Sequence, residues 1–121
     1  MQYMVAIHHP DDFEAFSESA ETGRNIDALN EAMNAAGVIR FVGGMRPVTS
    51  AKSVRVREGR PIVSDGPYLE TKEHIGGFWV LEVATEEEAV EWGRKAAIAC
   101  RAPVEVRGFW SEAEAQAGQA G

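Results

Sequence analysis

The chain has 121 residues, 45% hydrophobic and 26% charged, enough for one domain with a real core. Its net charge of -7 disfavours nucleic acid and anionic membrane as partners, since both need a basic surface. The single cysteine, Cys100, rules out an intrachain disulfide and a Cys-rich zinc framework.

No apolar run approaches the roughly 18 to 20 residues of a membrane span. The N-terminus shows no basic region followed by a long apolar stretch. A soluble, cytoplasmic protein is the expectation.

Residues 3–7 are predicted as the first strand. Tyr3, Val5 and Ile7 share one face with Met1, and Met4 and Ala6 share the other. Both faces are apolar enough for a central strand covered on both sides. His8-His9-Pro10-Asp11-Asp12 then reads as a polar exit loop punctuated by Pro10. Neighbouring strand residues point to opposite faces, so His8 and His9 do not converge on one metal. No matching His or Asp cluster stands elsewhere at ligand spacing, and no metal site is expected.

Residues 11–24 are acidic and irregular, with Phe13 and Phe16 as expected anchors. A helix is predicted over 23–36, where Ile26, Leu29, Met33 and Ala36 form one core stripe. Gly37 is its natural stop. Residues 38–45 read as a second strand, in which Gly43-Gly44 marks a bulge or a close backbone approach. Over 53–57 the pattern alternates, with Val54 and Val56 expected inward and Ser53, Arg55 and Arg57 outward. Glu58-Gly59-Arg60 is a tight turn, and Pro61-Ile62-Val63 returns as the partner strand.

The densest chemistry lies in the next stretch. Ser64-Asp65-Gly66-Pro67 is turn sequence: Gly66 accepts a positive φ, and Asp65 can accept backbone hydrogen bonds. Glu70, Lys72, Glu73 and His74 follow, and Gly76-Gly77 then permits a sharp turn or a close approach. A charged loop between two apolar strands is a place to seek a site. A structural crossover with a solvated face is the plainer alternative.

Residues 77–83 form the strongest predicted strand, apolar on both faces except at Glu82. Thr85 and Glu88 make a capping box. Ala89, Trp92, Gly93 and Ala96 give the following helix a narrow face suited to close packing. That helix ends near Cys100, expected to be a buried, inert thiol. Val104 and Val106, with Glu105 and Arg107 between them, make the last strand, extended by Phe109 and Trp110. Residues 111–121 contain only Ser, Glu, Ala, Gln and Gly, and are expected to be a disordered tail after a domain of 1–110.

This order predicts an α+β fold with a ferredoxin-like core and two helices on one face of an antiparallel sheet. The other face needs cover, and a second copy is the economical source: a homodimer stacking sheet on sheet. At ~25 cal/mol per Å², covering several hundred Å² contributes on the order of ten kcal/mol before association costs.

Asp65-Gly66-Pro67-Tyr68, Glu70-Thr71-Lys72-Glu73 and Gly76-Gly77-Phe78 closely resemble the signature of the DGPF branch of the YCII-related proteins, with Tyr68 in place of the usual Phe. The resemblance runs over residues 1–110. It includes Tyr3-Met4-Val5, Val54-Arg55-Val56-Arg57, Glu88-Ala89-Val90-Glu91-Trp92 and Val104-Glu105-Val106-Arg107. It implies a ferredoxin-like fold pairing as a dimeric α+β barrel. Most proteins of that branch are uncharacterised, and some are associated with extracytoplasmic-function sigma factors. Related proteins include an enzyme acting on a chlorinated hydroxyquinol, and a His–Asp pair has been proposed as catalytic in the wider family. Asp65 matches the signature aspartate. The catalytic branch takes its histidine from the first helix, whereas this chain has none between His9 and His74.

Two functions follow as expectations. One is a cofactor-free enzyme acting on a small planar or enolisable molecule. Asp65 is its acid/base, His8 or His74 the partner, and Tyr68, Lys72 and Arg55 the substrate-binding groups. The other is a non-catalytic ligand sensor or regulatory module with a protein partner, linked to sigma-factor-dependent transcription.

Overall fold

The computed structural model describes residues 1–14 and 16–120. In chain order the elements are β1 (Gln2–Pro10), α1 (Ala20–Ala36), β2 (Ile39–Gly44), a short 3-10 turn (Val48–Ser50), β3 (Lys52–Arg57), β4 (Arg60–Asp65), β5 (Glu73–Glu82), α2 (Glu86–Cys100), β6 (Val104–Gly108) and α3 (Glu112–Ala120).

The main sheet has the order β2-β5-β1-β6, with every neighbouring pair antiparallel. The parallel strands β1 and β2 therefore flank β5, and β5 and β6 flank β1. These interleaved split βαβ units are the ferredoxin-like arrangement. The two strands with apolar residues on both faces, β1 and β5, take the two central places.

Strand alternation divides the sheet's side chains. Tyr3 stands opposite Leu81 and Val5 opposite Trp79. These four enter the core with Leu29 and Met33 of α1 and Ala89, Ala96, Ala99 and Cys100 of α2. Trp79 is buried, and its indole N–H donates to Asn30 Oδ1 at 2.8 Å, so the polar edge of a core aromatic is satisfied. The small face of α2 works as its composition predicts. A Cβ on Gly93 would meet Val106 Cγ2 at 2.5 Å, so only glycine lets the helix lie this close to β6. On the opposite face Met4, Ala6, Phe78 and Val80 line up beside Phe41, whose ring centroid is 5.4 Å from that of Phe78.

The caps explain where the helices begin and end. Ser19 Oγ accepts from the Thr22 N–H, so α1 starts three residues before the predicted Gly23. Gly37 closes it at φ 70°. Thr85 Oγ1 accepts from the Glu88 N–H at 3.2 Å, and Glu88 answers by accepting from Ala84 rather than from Thr85 itself.

Several expectations are corrected. His8-His9-Pro10 is not an exit loop, because β1 runs on to Pro10 and pairs with an early start of β5: His8 with Ile75, His9 with His74, Pro10 with Glu73. Val54 and Val56 do not point into a core, since β3 and β4 pair only with each other and both valines are exposed. Ser53 is the buried residue of that hairpin, where its hydroxyl donates to the Gly66 carbonyl at 2.6 Å. Phe16 is no anchor; its ring is exposed. The last strand stops at Gly108, and Phe109 and Trp110 lie exposed beyond it. Most of the segment expected to be disordered, 111–121, instead forms α3 over Glu112–Ala120, and residue 121 lies outside the described residues. Ser111 accepts from the Glu114 N–H and Glu114 accepts from the Ser111 N–H, a capping box followed by alanines with high helix propensity.

Candidate functional site

The end of the sheet where β1 meets β5 is irregular. The register shifts between Ile7 and His8, so Gly76 falls between the pairs Ile7–Gly77 and His8–Ile75. On β1, Tyr3, Val5, Ile7 and His9 share the helix-facing side. His9 turns its ring toward Gly76, and a Cβ there would overlap the imidazole. Phe13, just past the strand, stacks flat on the face of the ring, with ring centroids 3.8 Å apart and planes 3° from parallel. The imidazole thus has a phenyl ring on one face and Gly76 close to its Cδ2 edge.

Two cavities meet at this ring. A cleft of about 650 Å³ is walled by Phe13, Arg46, His74 and Ile75. A smaller hollow of about 270 Å³ runs inward toward Asn30, Trp79 and Cys100. His9, Glu18, Gly44 and Gly76 border both. The β2 backbone reaches this place because Gly77 has no side chain: a Cβ there would meet the Gly43 carbonyl oxygen at 3.0 Å.

The electrostatics separate the nucleophile candidates. Burial holds the His9 pKa below the ordinary value, and nearby His8 adds to this, while Glu18 acts in the opposite direction. The ring is therefore neutral at neutral pH and able to accept a proton. Burial pushes the Cys100 thiol up to about 11, with Glu18 adding to the effect. That group is a thiol rather than a thiolate and is a poor nucleophile. Among the described residues no three His, Cys, Asp or Glu side chains are grouped to hold a metal ion.

The sequence profile of the YCII-related domain matches residues 1–110. The chain belongs to the YCII-related family. It is also similar to an uncharacterised protein of Rhizobium meliloti (strain 1021), with 34% identity over 77 residues, 64% of this chain and 62% of that protein. The chain thus spans less than two thirds of that relative's length. Among the described residues of this YCII-family chain, no helix is long and apolar enough to cross a membrane.

The residues singled out in the family's signature stretch scatter over the fold. Asp65 ends β4, with its carboxylate paired to Lys52 and its side chain 85% exposed, outside the cavities described. His8 lies on the sheet face away from the helices, its Nε2 3.7 Å from Glu105 Oε1. His74 is part of the cleft wall, with Nε2 3.1 Å from the Thr71 carbonyl oxygen. Lys72 is exposed at a shallow hollow beside His8 and Pro10, and its carbonyl accepts from the Asp11 N–H. Arg55 and Tyr68 do come together: the guanidinium lies 5.0 Å from the ring centroid and donates to the Tyr68 carbonyl at 3.3 Å. That contact forms an exposed surface cluster.

The group at the junction of both cavities, His9, was missing from the expected site set. Its signal was the alternation Tyr3-Val5-Ile7-His9, which continues the buried face of β1 for one more step. The glycine that makes room for it, Gly76, was legible only as a point of close approach.

Proposed function

We propose that this YCII-family chain, a member of the DGPF branch by its Asp65-Gly66-Pro67-Tyr68 signature, binds a small organic molecule in the His9 cleft and transfers a proton to or from it. In this proposal it works as a cytoplasmic homodimer joined through the helix-free face of the sheet. The observation that supports it is the His9 imidazole, neutral, stacked on Phe13 and fitted against Gly76 where two cavities meet. A neutral, oriented imidazole is a general base near neutral pH. Arg46, on the cleft wall, is placed to balance negative charge developing on an enolisable ligand. Proton abstraction of this kind draws on side chains alone.

A second function, a regulatory module linked to sigma-factor-dependent transcription, is favoured by one observation. The signature residues Asp65, Tyr68 and Leu69 face solvent, where a protein partner can reach them.

The test is a titration of isotope-labelled protein with a library of small carbonyl compounds in deuterated water. Shifts at His9, Phe13 and Gly76, with ligand deuteration that His9→Gln abolishes, are the expected result. Binding that spares these residues, or deuteration unaffected by the substitution, rejects the catalytic proposal. Shifts confined to residues 65–69 on adding a protein partner support the second.

A further inference from the structure

We propose that the β3–β4 hairpin is an arm that docks on a second copy of the chain. This rests on the homodimer proposed above and names the element that grips the partner.

The cross-strand register sorts the hairpin into two faces. Val54 pairs with Val63 and Val56 with Pro61, so these four share one side. Arg55 pairs with Ile62 and Arg57 with Arg60 on the other. The apolar side is bare: Val54, Val56 and Val63 are 59%, 72% and 65% exposed. A two-stranded ribbon is marginally stable by itself in water. An amphipathic ribbon with an uncovered apolar stripe is built for a surface that this single chain does not supply.

Two observations identify that surface as another copy. The first is charge. Lys52, Arg55, Arg57 and Arg60 against Glu58 and Asp65 leave the hairpin at +2, in a chain of -7, so the remainder carries -9. Arg55, Arg57 and Arg60 lie on the side away from the valines, so each arm is drawn to the acidic body of its partner by net charge at long range rather than by paired contacts, and two-fold symmetry makes that attraction reciprocal. The second is area. With strands ~4.8 Å apart and a rise of ~3.3 Å per residue, the paired centre of the four-stranded sheet has a footprint of roughly 320 Å². A specific interface buries about 800 Å² per partner. Even with side-chain relief added to that flat footprint, the sheet face falls short alone, and among the described residues the hairpin adds three exposed valines on regular structure.

The experiment is sedimentation velocity on the full chain at low and high salt, with the double variant Val54→Asp/Val63→Asp beside wild type. Circular dichroism melting reports folding of the variant. The expected result is a wild-type dimer and a folded variant whose association is weaker by roughly 30-fold or more, as for loss of an interface hot spot. Arg55→Glu/Arg57→Glu weakens it too, and most at low salt. A monomeric wild type removes the homodimer itself. A dimeric wild type matched by an equally dimeric double variant removes the arm and leaves the homodimer to the sheet face alone. Should the double variant not fold, a spin label at Arg57→Cys decides. Mixed with unlabelled-spin, ¹⁵N-enriched chain, it broadens amides of the other copy if the arm crosses and none if it does not. Buried Cys100 takes little label.

Discussion

The His9 ring occupies the space where a side chain on Gly76 would begin. One residue on β1 and one on β5 thus depend on each other sterically, across a register shift that places Gly76 between two strand pairs. The stack of His9 on Phe13 and the cavities on either side follow from that fit.

Gly76→Ala should therefore displace the imidazole. Overpacking of this kind costs about 1–3 kcal/mol, to be read from urea unfolding. Gly44→Ala at the same cleft, where a Cβ meets nothing within 4 Å, is the control and should change stability little. The Gly76 variant should also lose the chemical shifts that mark the His9–Phe13 stack, while the Gly44 variant keeps them.

The pH dependence of stability should carry the His9 signature. Burial sets its folded pKa below the ordinary 6.5, so in the window between the two values the unfolded chain binds more protons there. Stability then rises with pH through that window; it is complete above 6.5 and declines as pH falls below it. His9→Gln should flatten this part of a melting-temperature profile. A separate decline below 4.5 belongs to Glu82, whose carboxyl the Met1 ammonium holds low, and Glu82→Gln should remove only that one.

Two helix glycines should respond in opposite directions. Gly93→Ala drives a methyl against Val106 and should cost about 1–3 kcal/mol. Gly23, within α1, has nothing within 4 Å of its would-be Cβ. Gly23→Ala should stabilise by about 0.4–1 kcal/mol, because alanine has less freedom to lose on folding. Thermal melts of both variants are the measurement.

Asp65→Asn should be nearly silent for the cleft. The carboxylate is exposed and its partner Lys52 is too, and such pairs are worth about 0.2–1 kcal/mol. Ligand binding in the cleft should persist in Asp65→Asn and fail in His9→Gln. The reverse result would move the chemistry to the signature turn.

Where a structural feature depends on residues adjacent in the chain, it was legible beforehand. Gly37 ends α1 in the left-handed region, and Gly66 takes φ 95° in the turn after Asp65. Thr85 and Glu88 close a variant capping box whose reciprocal donor is Ala84, and apolar residues on both faces of β1 and β5 placed both at the centre of the sheet. Ser111 and Glu114 form a second box, overlooked because composition alone argued for disorder. The hairpin shows the limit of such patterns. Alternation in Val54-Arg55-Val56-Arg57 correctly sorts the side chains into two faces. It says nothing about whether the chain has anything to lay against the apolar one.

By itself the sequence determined the fold class and the order of elements through β6, because periodicity, caps and turn residues act on backbone dihedrals within a few positions of themselves, while the family was legible from its signature residues. Only the tertiary structure showed which of the adjacent histidines borders the cleft. His8 and His9 are indistinguishable by composition, but His8 continues the row of β1 on the helix-free face and His9 its helix-facing row. The cleft is also lined by Phe13, Arg46 and Gly76, which are brought together by strand register and a bulge rather than by sequence spacing. Register is set by the packing of the whole sheet against its helices, and no local pattern carries it.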